Sequence, residues 1–78
     1  MKLYVGNLPY NTSEASLRKL FSRHGQVKEI WIGNTRVGSP HGYCFVLMPD
    51  APNAEKAISM LNGLSFEGNE ISVHRARD

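Results

Sequence analysis

Residues 41–48 read HGYCFVLM, and the fold turns on how this octapeptide is placed. As a strand, it sends Tyr43, Phe45 and Leu47 to one face and Cys44, Val46 and Met48 to the other. Both faces are then apolar. A small one-sheet domain covers one face with helices and leaves the other to water, where polar side chains are expected. Two aromatic rings on the open side therefore require a use.

The rest of the chain fits around this strand as one domain, residues 1–78. A chain of 78 residues buries only about 60% of the surface its unfolded form exposes, enough for a single core. Hydrophobic residues make up 41% and charged residues 21%, far from the signature of disorder. Nine Lys and Arg against seven Asp and Glu give a net charge of +2, too small to name a nucleic-acid partner from net charge alone. One cysteine excludes an internal disulfide, and no Cys/His cluster offers a metal site, so no cofactor is expected and a reducing intracellular compartment is the natural reading. No apolar run approaches the roughly 20 residues of a membrane span, and the start lacks a signal-peptide core, so no membrane partner is expected.

Hydrophobic periodicity divides the chain into six elements. KLYVG at residues 2–6 alternates as a strand, with Leu3 and Val5 on one face and Lys2 and Tyr4 on the other, ended by NLPYN. Ser13 caps a helix whose stripe is Leu17, Leu20, Phe21 and His24, stopped at Gly25. QVKEIWIG reads as a strand with Ile30 and Ile32 inward and Trp31 outward. After the ragged segment 33–42 comes the octapeptide strand. Asp50 then caps a second helix, with Pro52 tolerated in its first turn and Ala54, Ala57, Ile58 and Leu61 as its stripe. Gly63 suits a helix end, LSFEGNE turns the chain with Phe66 as a core anchor, and ISVHRA supplies a last strand with Ile71 and Val73 inward.

The order is βαββαβ. Two right-handed β-α-β crossovers interleave, which sets the first and third strands side by side at the sheet centre; read from the crossovers alone, that pair runs parallel. Both helices cover one face, and by parity Tyr4, Trp31, Tyr43 and Phe45 share the open one. Flat rings spaced across a sheet are platforms for unpaired bases, each stack being worth about 1–3 kcal/mol.

At this point the residues resemble the RNA recognition motif (RRM) family over essentially the whole chain. LYVGNL at residues 3–8 is similar to its hexapeptide, and Gly42, Tyr43, Phe45 and Val46 match its octapeptide pattern. The resemblance implies an α+β, ferredoxin-like βαββαβ sandwich, with a four-stranded antiparallel sheet in strand order 4-1-3-2 and two helices on one face. It implies single-stranded RNA as ligand, with Tyr4 and Phe45 stacking on bases and Tyr43 packing against sugars. It also implies an adaptor role in post-transcriptional RNA metabolism. Single-stranded DNA is a second candidate ligand, and a monomer is expected.

His41, Cys44 and Met48 depart from the family pattern. Cys44 and Met48 face the core by parity and read as packing variants. His41 stands where Lys or Arg is usual, so a phosphate contact there is expected to strengthen on acidification through a pKa of about 6.5, unless the imidazole only stacks or is solvated. Lys2, Arg36, Arg75 and Arg77 are candidates for a shallow basic rim. Trp31 extends the platform or rests on the loop, His74 shares the open face by parity, and Asn7 bonds either backbone or nucleotide. His24 is expected to be a packed or half-buried histidine.

Catalysis is not expected. The candidate pair, His41 and Cys44, points to opposite faces of one strand and cannot form a nucleophile–base dyad. The competing function is an RRM-like protein–protein interaction module. The chain is expected to be a stand-alone protein of the small bacterial type, with an excised domain as the alternative; the location follows, cytoplasmic if bacterial and nuclear or cytoplasmic if eukaryotic.

Overall fold

The computed structural model describes residues 1–33 and 41–77, with His41 described by its backbone alone. Four strands form the main sheet: β1 (Lys2–Pro9), β2 (Glu29–Gly33), β3 (His41–Leu47) and β6 (Ser72–Arg75), in the spatial order β2-β3-β1-β6. Two helices, α1 (Glu14–Ser22) and α2 (Ala51–Leu61), and a small hairpin, β4 (Ser65–Phe66) with β5 (Asn69–Glu70), complete the chain. This is the expected α+β sandwich, in the expected strand order.

Every neighbouring pair of the main sheet is antiparallel, including β1 with β3. The parallel centre pair read from the crossovers is thereby corrected. The crossover through α1 makes β1 and β2 parallel, yet they are not neighbours; β3 returns antiparallel from β2 and sits between them, so it opposes β1 as well.

Local chemistry sets the helix ends. Ser13 Oγ accepts from the Ser16 amide at 3.1 Å and Asp50 Oδ1 from the Asn53 amide at 3.0 Å, satisfying donors that a first turn leaves unpaired. Pro52 lies in the first turn of α2, where its missing N–H costs nothing. At the other end of α2, the Gly63 amide donates to Ile71 O at 2.8 Å, and Asn62 Oδ1 accepts from the Val73 amide at 3.0 Å. These two bonds tie the helix to the strand that follows.

Both helices lay their apolar stripes on one face of the sheet. Leu3, Val5, Cys44, Val46 and Val73 meet Leu17 and Phe21 of α1 and Ala54, Ala57 and Leu61 of α2 in one core, closed by Leu8, Val27, Ile30, Met48 and Ile71. Leu20, Ile58 and Phe66 pack at its margin. His24 lies just past α1 and is half-buried, the second of its two expected placements.

The structure departs from the sequence reading in three further places. Ile32, expected in the core, is 44% exposed. It pairs with buried Cys44 and so faces the helix side, but it lies near the end of an edge strand, where neither helix covers it fully. β1 continues through NLP instead of ending at Gly6, because the register shifts between Val5 and Leu8 with Asn7 at φ 60°. This bulge reverses the alternation and returns Leu8 to the core, at 2% exposure. Finally, the expected turn at 64–70 is a hairpin whose central residues, Glu67 and Gly68, both have positive φ, as a twist-matched two-residue turn requires.

Truncating Phe21, fully buried, to Ala is expected to cost about 3–5 kcal/mol, whereas Ile32→Ala should cost about 1 kcal/mol or less. Urea unfolding of the two variants checks this; comparable losses would return Ile32 to the core.

Candidate nucleic-acid interface

The face opposite the helices is built by strand alternation. Tyr4 pairs with Phe45 across β1 and β3, Phe45 with Trp31 across β3 and β2, and Tyr4 with His74 across β1 and β6. His74, Tyr4, Phe45 and Trp31 therefore form one straight row across all four strands. At about 4.8 Å per strand the row spans roughly 14 Å. Tyr43 lies one step further along β3, on the same face.

The three inner rings touch. Tyr4 and Tyr43 have centroids 6.1 Å apart with planes at 25°, Tyr4 and Phe45 are 5.7 Å apart at 62°, and Tyr43 and Phe45 are 6.0 Å apart at 81°. Such offset and edge-to-face pairs are mutually attractive, so the cluster is held in place before any ligand arrives. All three are half-buried, which leaves part of each ring to solvent.

Two glycines let the tyrosines lie down on the sheet. A Cβ at Gly6 would stand 2.9 Å from Tyr4 Cε2, and one at Gly33, on the neighbouring strand, would collide with Tyr43 Cζ. Gly6 and Gly33 are thus part of the surface, although the sequence reading gave them no role. The available signal was small residues at the same parity as the aromatics, next to them along β1 and β2.

The polar candidates divide. Lys2 Nζ sits 4.7 Å from the centroid of Phe45 and 5.5 Å from that of Trp31, contacts worth about 0.5–1 kcal/mol each where exposed. Trp31, 44% exposed, stands at the outer end of the row, and the loop that is its other expected neighbour lies outside the described residues. The Asn7 side chain donates to Glu70 O at 2.8 Å while Asn69 donates back to Asn7 O at 3.1 Å, so the β1 bulge is clamped to the small hairpin. Of the two partners open to Asn7, its amide holds backbone. Arg75 pairs with inward-facing Leu3, which sets it on the helix side of the edge strand rather than on the aromatic face. Arg77 follows β6 and is exposed. Arg36 and the side chain of His41 lie outside the described residues.

Beneath the platform, Cys44 is fully buried and burial pushes its thiol up to about 12, so it stays neutral at ordinary pH. Among the described residues no cluster of His, Cys, Asp and Glu is grouped to hold a metal ion, and no helix is long and apolar enough to cross a membrane.

Comparison with known proteins agrees with this geometry. Residues 3–72 match the model of the RNA recognition motif family. The chain is 35% identical over 78 residues to RbpD of Nostoc sp., which is named as an RNA-binding protein, covering 99% of this chain and 83% of that one. It is 40% identical over 76 residues to human RNA-binding protein 24, covering 96% of this chain and 32% of the relative. Against the human boule-like protein it is 33% identical over 72 residues and spans only 25% of that protein's length. Among solved structures, the first two RRM domains of yeast poly(U) binding protein superpose with a TM-score of 0.93 at 29% identity, covering all of this chain and 47% of that one. With the two aromatic motifs on adjacent central strands, the βαββαβ order and the family match over residues 3–72 all in agreement, the chain belongs to the RNA recognition motif family.

Proposed function

We propose that the chain binds single-stranded RNA by stacking bases on Tyr4 and Phe45, with Tyr43 against the sugars between them, and that it acts as an adaptor in post-transcriptional RNA metabolism. The observation that carries this reading is the three-ring cluster, with centroids 5.7–6.1 Å apart on a face that neither helix covers. Exposed aromatics grouped in this way mark a binding surface, and base faces are the ligand that flat, spaced rings fit.

Magnitudes define what else is needed. Two or three stacks at about 1–3 kcal/mol each fall short of, or barely reach, the roughly 8 kcal/mol of a micromolar complex. Polar and phosphate contacts make up the difference. Arg77, Arg75 reaching round the β6 edge, and Arg36 and His41 in the adjoining segment are the groups proposed to meet phosphates, with Trp31 and His74 lengthening the stacked row. Clean burial of Cys44 supports the non-catalytic reading, because a neutral thiol in the core is no nucleophile.

The Tyr43→Ala/Phe45→Ala double variant should stay folded, since neither side chain belongs to the buried core, and should bind single-stranded RNA at least about thirtyfold more weakly. Fluorescence anisotropy of a labelled random-sequence RNA decides it. Undiminished binding would remove the platform, and a folded wild type that ignores RNA but captures a defined protein would favour the protein-interaction reading.

In the same assay, two to four phosphate contacts at about 0.7 each predict a log affinity against log salt slope between roughly −1.4 and −2.8. A slope near zero would dismiss the basic groups as phosphate ligands.

Gly33→Val is expected to lift the Tyr43 ring and weaken RNA binding severalfold without lowering Tm, because valine suits an edge strand. Thermal melts beside binding curves separate the two effects; unchanged affinity would show that the position of the Tyr43 ring is immaterial.

A further inference from the structure

We propose that Lys2 reads the edge of the base stacked on Phe45 and selects guanine there. This inference rests on the RNA-binding reading and deepens it from a surface to a base preference. As sequence, Lys2 belongs to a basic rim that meets phosphates. The structure places it elsewhere: β1 is an inner strand, and Lys2 pairs with Leu47, one rung from the Tyr4–Phe45–Trp31 row. From there its side chain runs diagonally toward β3 and β2 until the ammonium lies 4.7 Å from the Phe45 centroid and 5.5 Å from that of Trp31.

Two features make this a built position rather than a passing one. The Lys2 backbone is held from both sides, by its pairing with Leu47 and by the Ala76 amide, which donates to Lys2 O at 2.8 Å. Among the described residues no carboxylate lies within ion-pair distance of the ammonium, the ion pair found there joining Arg18 and Glu14. The two rings hold it at the platform.

A base that takes the face of Phe45 displaces the ammonium from the ring to the base perimeter, where it meets edge atoms. An ammonium offers three donors and no acceptor. Guanine presents O6 and N7 side by side, two acceptors with no donor between them, and this is the edge that Lys and Arg contact most often. On the same edge adenine sets its N6 amino group beside N7 and cytosine presents its N4 amino group, so in both a donor confronts the ammonium. On that edge uracil offers O4 alone. A lysine that only met phosphate would strengthen binding to all sequences alike.

The test is anisotropy titration of the pentanucleotides UUGUU, UUAUU, UUCUU and UUUUU, together with UUGUU carrying 7-deazaguanine, which lacks the N7 acceptor. Wild type is expected to bind UUGUU about tenfold more tightly than UUAUU, a difference of about 1.4 kcal/mol. The 7-deaza substitution should erase part of that margin. Lys2→Met keeps the aliphatic stem and drops the charge; it should bind all the pentanucleotides more weakly and bring the guanine-to-adenine ratio to within about twofold. Equal wild-type affinities for UUGUU and UUAUU, or a preference that survives in Lys2→Met, overturns the assignment while leaving base stacking in place. Failure of the folded wild type to bind any of the pentanucleotides overturns the stacking reading itself, and the guanine assignment with it.

Discussion

The antiparallel register of β1 against β3, Tyr4 opposite Phe45 and Val5 opposite Cys44, is the constraint on which the rest of the molecule depends. Side chains alternate with a period of two, so a slip of one residue would carry Tyr43 and Phe45 into the core and turn Cys44 and Val46 out to water. Both faces of β3 are apolar, so hydrophobicity alone does not forbid that slip. What opposes it is size: the core side holds Cys44 and Val46 packed with the stripes of both helices, and two large rings have no space there. The bulge at Asn7, clamped to Asn69 and Glu70, anchors the far end of the same pairing.

Register then converts one-dimensional order into a surface. Once β3 is seated, β2 and β6 each have one edge to occupy, and Trp31 and His74 fall into line with Phe45 and Tyr4. A small domain that leaves these rings unburied forgoes some hydrophobic stabilisation. Part of it is recovered among the rings themselves, which rest against one another and over glycine backbone, and part by the Lys2 ammonium above Phe45 and Trp31. The platform is therefore ordered without a ligand, which lowers the entropy lost when one binds.

Charge on this protein acts by placement rather than sum. A net charge of +2 is unremarkable for a chain of this length. Yet Lys2 sits at the rings while Arg75, two strands' width from Phe45 and facing the helix side, does not. Two cationic residues that look equivalent in the sequence stand in different places, one against the aromatic rings and the other on the helix side of the sheet edge.

Much of the fold was legible in the sequence because it rests on local rules. The Ser13 and Asp50 caps, the stripes of α1 and α2 and the alternation within each strand are dictated by residues close together along the chain, and with the motif resemblance they identified the order βαββαβ and the aromatic trio Tyr4, Tyr43 and Phe45. Tertiary structure decided what depends on neighbours distant in sequence. Whether β3 lies parallel or antiparallel to β1, whether the end of an edge strand at Ile32 is covered, which partner the Asn7 amide takes and which glycines lie beneath the tyrosines are all settled by pairing between strands. The position of Lys2 belongs to the same class: the sequence supplies the charge, but only the lateral register of three strands brings that charge to two aromatic rings.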